Sequence, residues 1–68
     1  MPEYEYQIYK KGEPPQMLFL FDAPNDTAAA TLAERRAKPR KDLGIDKGCH
    51  ERLSRTEKGV DPVFDRPI

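Results

Sequence analysis

Glu3-Tyr4-Glu5-Tyr6-Gln7-Ile8-Tyr9, a break from Lys10 to Pro15, and then Met17-Leu18-Phe19-Leu20-Phe21 are the residues on which the fold turns. In the first run Tyr4, Tyr6 and Ile8 recur at every second position with Glu3, Glu5 and Gln7 between them, the alternation of a strand with one covered and one solvated face. Tyr9 breaks the polar row, and its ring either covers a cross-strand neighbour or joins a contact surface. The break holds Gly12, free to take positive φ, and Pro14-Pro15, which force an extended exit and cannot donate ladder bonds. A hairpin over residues 3–22 follows. Its second strand is apolar on both faces. Met17, Phe19 and Phe21 can meet a helix while Leu18 and Leu20 point away from it, and so much apolar surface calls for a cover. The tail, through Val60, Val63 and Phe64, and a second copy of the chain are the two candidates.

Downstream, Asn25 or Asp26 can accept from the first free amides of a helix, with Pro24 just outside it. Thr27 to Ala37 is alanine-rich, and Pro39 is expected to stop the helix, which gives a span of 26–38. Ala29, Leu32, Ala33, Arg36 and Ala37 approximate one stripe in which only Leu32 is large, so the bulk of the core is expected from Met17, Phe19 and Phe21. Leu43 and Ile45 are anchors on a loop around Gly44. Asp46 is placed to cap a short second helix over Lys47–Arg55, with Cys49 and Leu53 four apart on its buried side. Gly59, Pro62 and Pro67 argue for an extended tail from Thr56 onward. The expected class is α+β: a small antiparallel hairpin, three-stranded if the tail near Val60–Phe64 pairs, packed by one main helix, with a short second helix or loop. Residues 1–55 make a single ββα(α) domain, and 56–68 a tail free to dock on the sheet.

Composition narrows the field. The chain has 68 residues, 37% hydrophobic and 35% charged, with 7 prolines and Cys49 as its one cysteine. An intramolecular disulfide is excluded, and a core this small leaves a thin stability margin. No stretch approaches the about 20 apolar residues that span a bilayer, and the beginning Met1-Pro2-Glu3-Tyr4-Glu5 is acidic where a signal peptide is basic, so a cytoplasmic location is expected. The formal net charge of zero hides an asymmetry: residues 1–34 carry −4 and residues 35–68 carry +4. Total charge is then a poor guide to what the surface attracts.

Five cations crowd the region around Pro39: Arg35, Arg36, Lys38, Arg40 and Lys41. Some of them suit the negative end of the helix dipole. Together they also form a corner that could meet phosphates, with Tyr4, Tyr6 and Tyr9 as stacking groups, although Glu3 and Glu5 beside those tyrosines would repel a nucleic-acid backbone. Cys49 and His50 are adjacent, which makes a converging thiol and imidazole hard to build, and one cysteine with one histidine falls short of a four-ligand zinc site without carboxylates such as Asp46 or Glu51. No metal, cofactor or catalytic set is therefore expected, and a small Cys-His enzyme is the weakest alternative.

The functional expectation is a non-catalytic binding protein, a regulator or inhibitor that meets a protein partner through Tyr4, Tyr6, Tyr9, Arg35, Arg36, Lys38, Arg40 and Lys41. The alternative is an RNA- or DNA-binding protein using the corner at 35–41. A homo-oligomer through the open sheet face or edge is compatible with either. In size and style the chain resembles short bacterial and phage proteins that act by binding another macromolecule.

Overall fold

The computed structural model describes all 68 residues and confirms an α+β architecture, one main helix on an antiparallel sheet. The elements run β1 (Glu3–Tyr9), β2 (Met17–Asp22), α1 (Asp26–Asp42), β3 (His50–Arg55) and β4 (Phe64–Pro67). The four strands lie in the order β2-β1-β3-β4 with every neighbouring pair antiparallel. β1 pairs with β2 in the register Tyr6↔Phe19 and with β3 in the register Tyr6↔Leu53, so the alternating strand is central.

Alternation in β1 decides the layering. Tyr4, Tyr6 and Ile8 are wholly buried under the helix, beside Leu53 of β3. From α1 come Ala29, Ala33 and Ala37, four apart on one stripe and fully buried. Small side chains there let the helix lie close to the aromatic rings beneath it, which interlock: Tyr4 with Phe21 at 5.9 Å between centroids, Tyr6 with Phe19 at 5.5 Å, Phe19 with Phe21 at 5.4 Å. The bulk of the core thus comes from β1 and β3 rather than from Met17, Phe19 and Phe21. Those three belong to an edge strand and are partly buried, packed against the core from its side.

Three expectations about local structure change. The helix does not stop at Pro39 but continues to Asp42. Pro39 withholds the amide that would bond the Arg35 carbonyl, and an interior proline costs about 3 kcal/mol. The extra turn is held from outside by ion pairs of Arg40 with Asp46 and Lys41 with Glu51. It ends at Gly44, whose φ of 70° permits the left-handed cap. Gly44 N–H bonds the Lys41 carbonyl and Ile45 N–H bonds the Arg40 carbonyl, the paired bonds of a Schellman motif.

The second helix over Lys47–Arg55 is absent: residues 50–55 are β3. A spacing of four between Cys49 and Leu53 fits both periods, since residues four apart share a face in a strand as in a helix. The discriminating position is Glu51, which faces inward between them with 3% exposure and is charged, so the alternation was disguised. The tail does add a strand, but at Phe64–Pro67, slightly later than Val60–Phe64, and at the β3 edge. It leaves Leu18 and Leu20 uncovered, at 51% and 55% exposure.

Candidate interaction surfaces

The basic corner is smaller than its sequence. Arg40 grips Asp46 with two parallel bonds of 2.8 Å, Nε to Oδ2 and an Nη to Oδ1, and Asp46 is wholly buried. Lys41 Nζ donates to Glu51 Oε1 at 2.8 Å. Both cations are therefore part of the domain's internal structure. Arg36 lies over the Phe19 ring at 4.7 Å, while Arg35 and Lys38 are exposed on the same end of the helix. Three of the five cations remain for a surface.

The tyrosines divide in another way. The Tyr4 hydroxyl donates to Asp26 Oδ1 at 2.6 Å and the Tyr6 hydroxyl to Glu51 Oε1 at 2.8 Å. Burial, reinforced by hydrogen bonding to a carboxylate, raises both phenol pKa values. Neither ring presents any surface, so neither can serve as a contact. Tyr9 sits on the far face of the sheet, its ring stacked on His50 at 5.6 Å and its hydroxyl donating to Asp65 across β3 at 2.7 Å. The eight residues expected to act together are thus distributed over the core, the helix end and the far face.

Glu51 is the hub that absorbs much of this chemistry. Burial works against its charge, but hydrogen bonds from Lys41, Arg66 and Tyr6 outweigh it and hold the carboxyl below its usual range. Arg66 bonds Oε2 at 2.8 Å, reaches Glu34 on α1 at 3.4 Å and covers the Phe64 ring at 4.0 Å. One buried carboxylate therefore ties together helix, central strand and edge strand.

Cys49 and His50 diverge. Consecutive strand positions face opposite ways, so the buried thiol turns toward Gln16 Oε1 at 3.7 Å while the imidazole stacks on Tyr9 outside. No three His, Cys, Asp or Glu side chains approach closely enough to hold a metal ion together.

What remains open is the β2 edge. Ala23 N–H bonds the Pro2 carbonyl, which fixes the parity of the β1–β2 ladder: Met17, Phe19 and Phe21 turn their peptide groups toward β1, and Leu18 and Leu20 turn theirs outward. On the far face the Leu18 and Leu20 side chains stand half exposed. On the helix side a groove of about 200 Å³ is lined by Phe19, Leu20, Phe21, Leu32 and Arg36. Free backbone, exposed leucines and apolar groove are contiguous.

The opposite edge is different. Ile68 N–H bonds the Cys49 carbonyl, so the inward peptide groups of the last strand belong to Phe64 and Arg66, and the outward ones to Asp65 and Pro67. Pro67 has no N–H to give, and Asp65 is charged and already engaged by Tyr9. A four-residue strand with proline and charge is a guarded edge, whereas Met17–Phe21 has no lysine or proline within it. Sequence reasoning singled out Leu18 and Leu20 as needing a cover. It could not show that β2 is an edge, because that follows from β3 inserting beside β1.

No helix is long and apolar enough to cross a membrane. Comparison of the chain with protein-family models, curated proteins and solved structures gives no match.

Proposed function

We propose that this chain is a non-catalytic interaction module that engages a protein partner by accepting a strand at the β2 edge, with apolar side chains of that strand entering the groove beside Leu32. The observation that carries the proposal is the unguarded edge: outward peptide groups at Leu18 and Leu20 adjoin exposed leucines on one face and an apolar groove on the other. Strand addition supplies affinity through main-chain bonds and specificity through pockets for alternate side chains.

The test is affinity capture from nuclease-treated cell extract with the native chain, a Leu20→Lys variant and an Arg35→Glu/Arg36→Glu variant. Capture of defined polypeptides that survives nuclease and is lost with Leu20→Lys supports the edge. Capture that requires nucleic acid, is lost with the arginine reversals and persists with Leu20→Lys overturns it in favour of phosphate contacts at the helix end. Titration of a generic duplex against salt gives the same discrimination, because phosphate contacts weaken steeply as salt rises.

A further inference from the structure

We infer that the strand accepted at the β2 edge belongs to a second copy of this chain, so that two molecules join β2 to β2 across a two-fold axis into one continuous eight-stranded sheet. The inference rests on the edge-binding reading above and adds the identity of the partner.

The segment is palindromic in its chemistry. About Phe19 the residues read Met17/Phe21, then Leu18/Leu20, with Phe19 at the centre. A two-fold contact places the same patch against itself, so it rewards a segment of this kind. With Phe19 on the axis, an antiparallel register sets Leu18 opposite Leu20 of the other copy twice over, Met17 opposite Phe21, and Phe19 opposite itself. Directly opposed residues share a face, so the leucines cluster on the far side and the aromatic residues on the helix side.

The backbone parity agrees. Leu18 and Leu20 carry the outward peptide groups, so they form the hydrogen-bonded pairs of this register, and Phe19 falls at a non-hydrogen-bonded pair, where opposed Cα atoms lie about 4.5 Å apart. Asp22 is the one charged residue of the strand, and the position opposite it lies outside β2, so no charged residue of the strand faces a like charge. A stable interface takes about 800 Å² from each partner, roughly a sixth of the 4607 Å² this chain exposes. The strand edge alone is too narrow for that. The groove and Leu32, 40% exposed on the helix side, widen the contact because the two-fold keeps both helices on the same face.

The axis also brings the two Arg36 guanidiniums near one another, each above its own Phe19 ring. Like charges beside an apolar contact are relieved by salt, so association tightens as salt rises.

Sedimentation equilibrium from micromolar to millimolar chain, at low and high salt, should show a monomer–dimer equilibrium that shifts to dimer in salt. Leu20→Lys puts an ammonium opposite Leu18 twice and should weaken association about 100-fold. For register, Phe19→Cys in a Cys49→Ser background should form an interchain disulfide on mild oxidation, whereas Leu20→Cys in that background should not. Amide exchange at Leu18 and Leu20 is the check that needs no substitution: both should become protected as chain concentration increases. A chain that stays monomeric at millimolar concentration with those amides unprotected overturns the inference, as does a dimer that loosens in salt or is indifferent to Leu20→Lys. Monomeric behaviour combined with Leu20-dependent capture of a different polypeptide overturns the self-pairing alone and leaves the edge-binding reading standing. Loss of that capture dependence is the separate failure of the reading itself.

Discussion

Asp46 and Arg40 form a pair in which the two partners differ sharply in their surroundings: the carboxylate is wholly buried, the guanidinium side chain 31% exposed. Removing either breaks the same bonds but leaves a different remainder. Arg40→Ala strands a buried anion, expected to cost about 3–5 kcal/mol, whereas Asp46→Ala leaves a cation that can turn to water and should cost about 1–3 kcal/mol. Urea unfolding of the two variants measures the difference, and equal losses would show that the pair acts only through geometry. Glu51 contributes to the acid limb of stability, as does Asp26. The folded pKa of Glu51 lies below the ordinary 4.5, so its contribution is complete above that value and is lost as pH falls through the lower, folded one. Glu51→Gln should flatten the acid limb of a plot of unfolding midpoint against pH. On the alkaline side the raised phenols of Tyr4 and Tyr6 act in the opposite sense, with stability intact below the ordinary 10.0 and declining above it. None of this chemistry was legible from residue type. A glutamate in Cys49-His50-Glu51-Arg52 looks solvated, and only the pairing of β1 with β3 sets the Tyr6 hydroxyl and Lys41 beside it.

Secondary structure was easier to read where the period was unambiguous. Tyr4, Tyr6 and Ile8 placed β1, the proline pair placed the hairpin, and the cap at Asn25 is real, its side chain accepting from Ala28 N–H at 2.8 Å. Asp26, the other cap candidate, is instead held below its usual pKa by the Tyr4 hydroxyl and Arg55. Reading failed where tertiary contacts overrode a local signal. Pro39 marks a helix end by every local rule, yet the bonds of Arg40 and Lys41 carry the helix one turn further to Gly44. Pro39→Ala should therefore stabilise the domain, by about 1–2 kcal/mol once the added freedom of the unfolded chain is set against the regained bond to the Arg35 carbonyl. That corresponds to a rise in Tm of roughly 4–8 °C per kcal/mol. Gly44→Ala should do the reverse by about 1 kcal/mol, because the cap needs positive φ. Thermal melts of both variants check the pair, and a Pro39→Ala variant that melts lower than the parent would show that the proline is favourable where it stands.

Taken as a whole, the molecule folds its charge asymmetry onto itself. The acidic first half and basic second half meet through Arg55 with Asp26 and Arg66 with Glu34, while Arg40 and Lys41 are paired within the second half by Asp46 and Glu51. Four of the ten cations of the second half are thereby tied into the fold, while Arg35, Arg36 and Lys38 stay exposed at the helix end and Leu18 and Leu20 at the β2 edge. The outward leucines of the open edge contribute little to the single domain: at dilutions where the monomer prevails, Leu18→Lys should move the unfolding free energy by no more than about 0.5 kcal/mol, measured by urea titration. A larger loss would mean that Leu18 supports the fold rather than a contact. The proline at the far edge has a further consequence. Once two open edges have met, each outer rim of the combined sheet ends on a strand that offers Pro67 and an occupied Asp65 to any newcomer. Growth has nowhere to continue, so this architecture counts to two and stops, and a Pro67 replacement that restores the missing donor is where runaway fibre formation should first be sought.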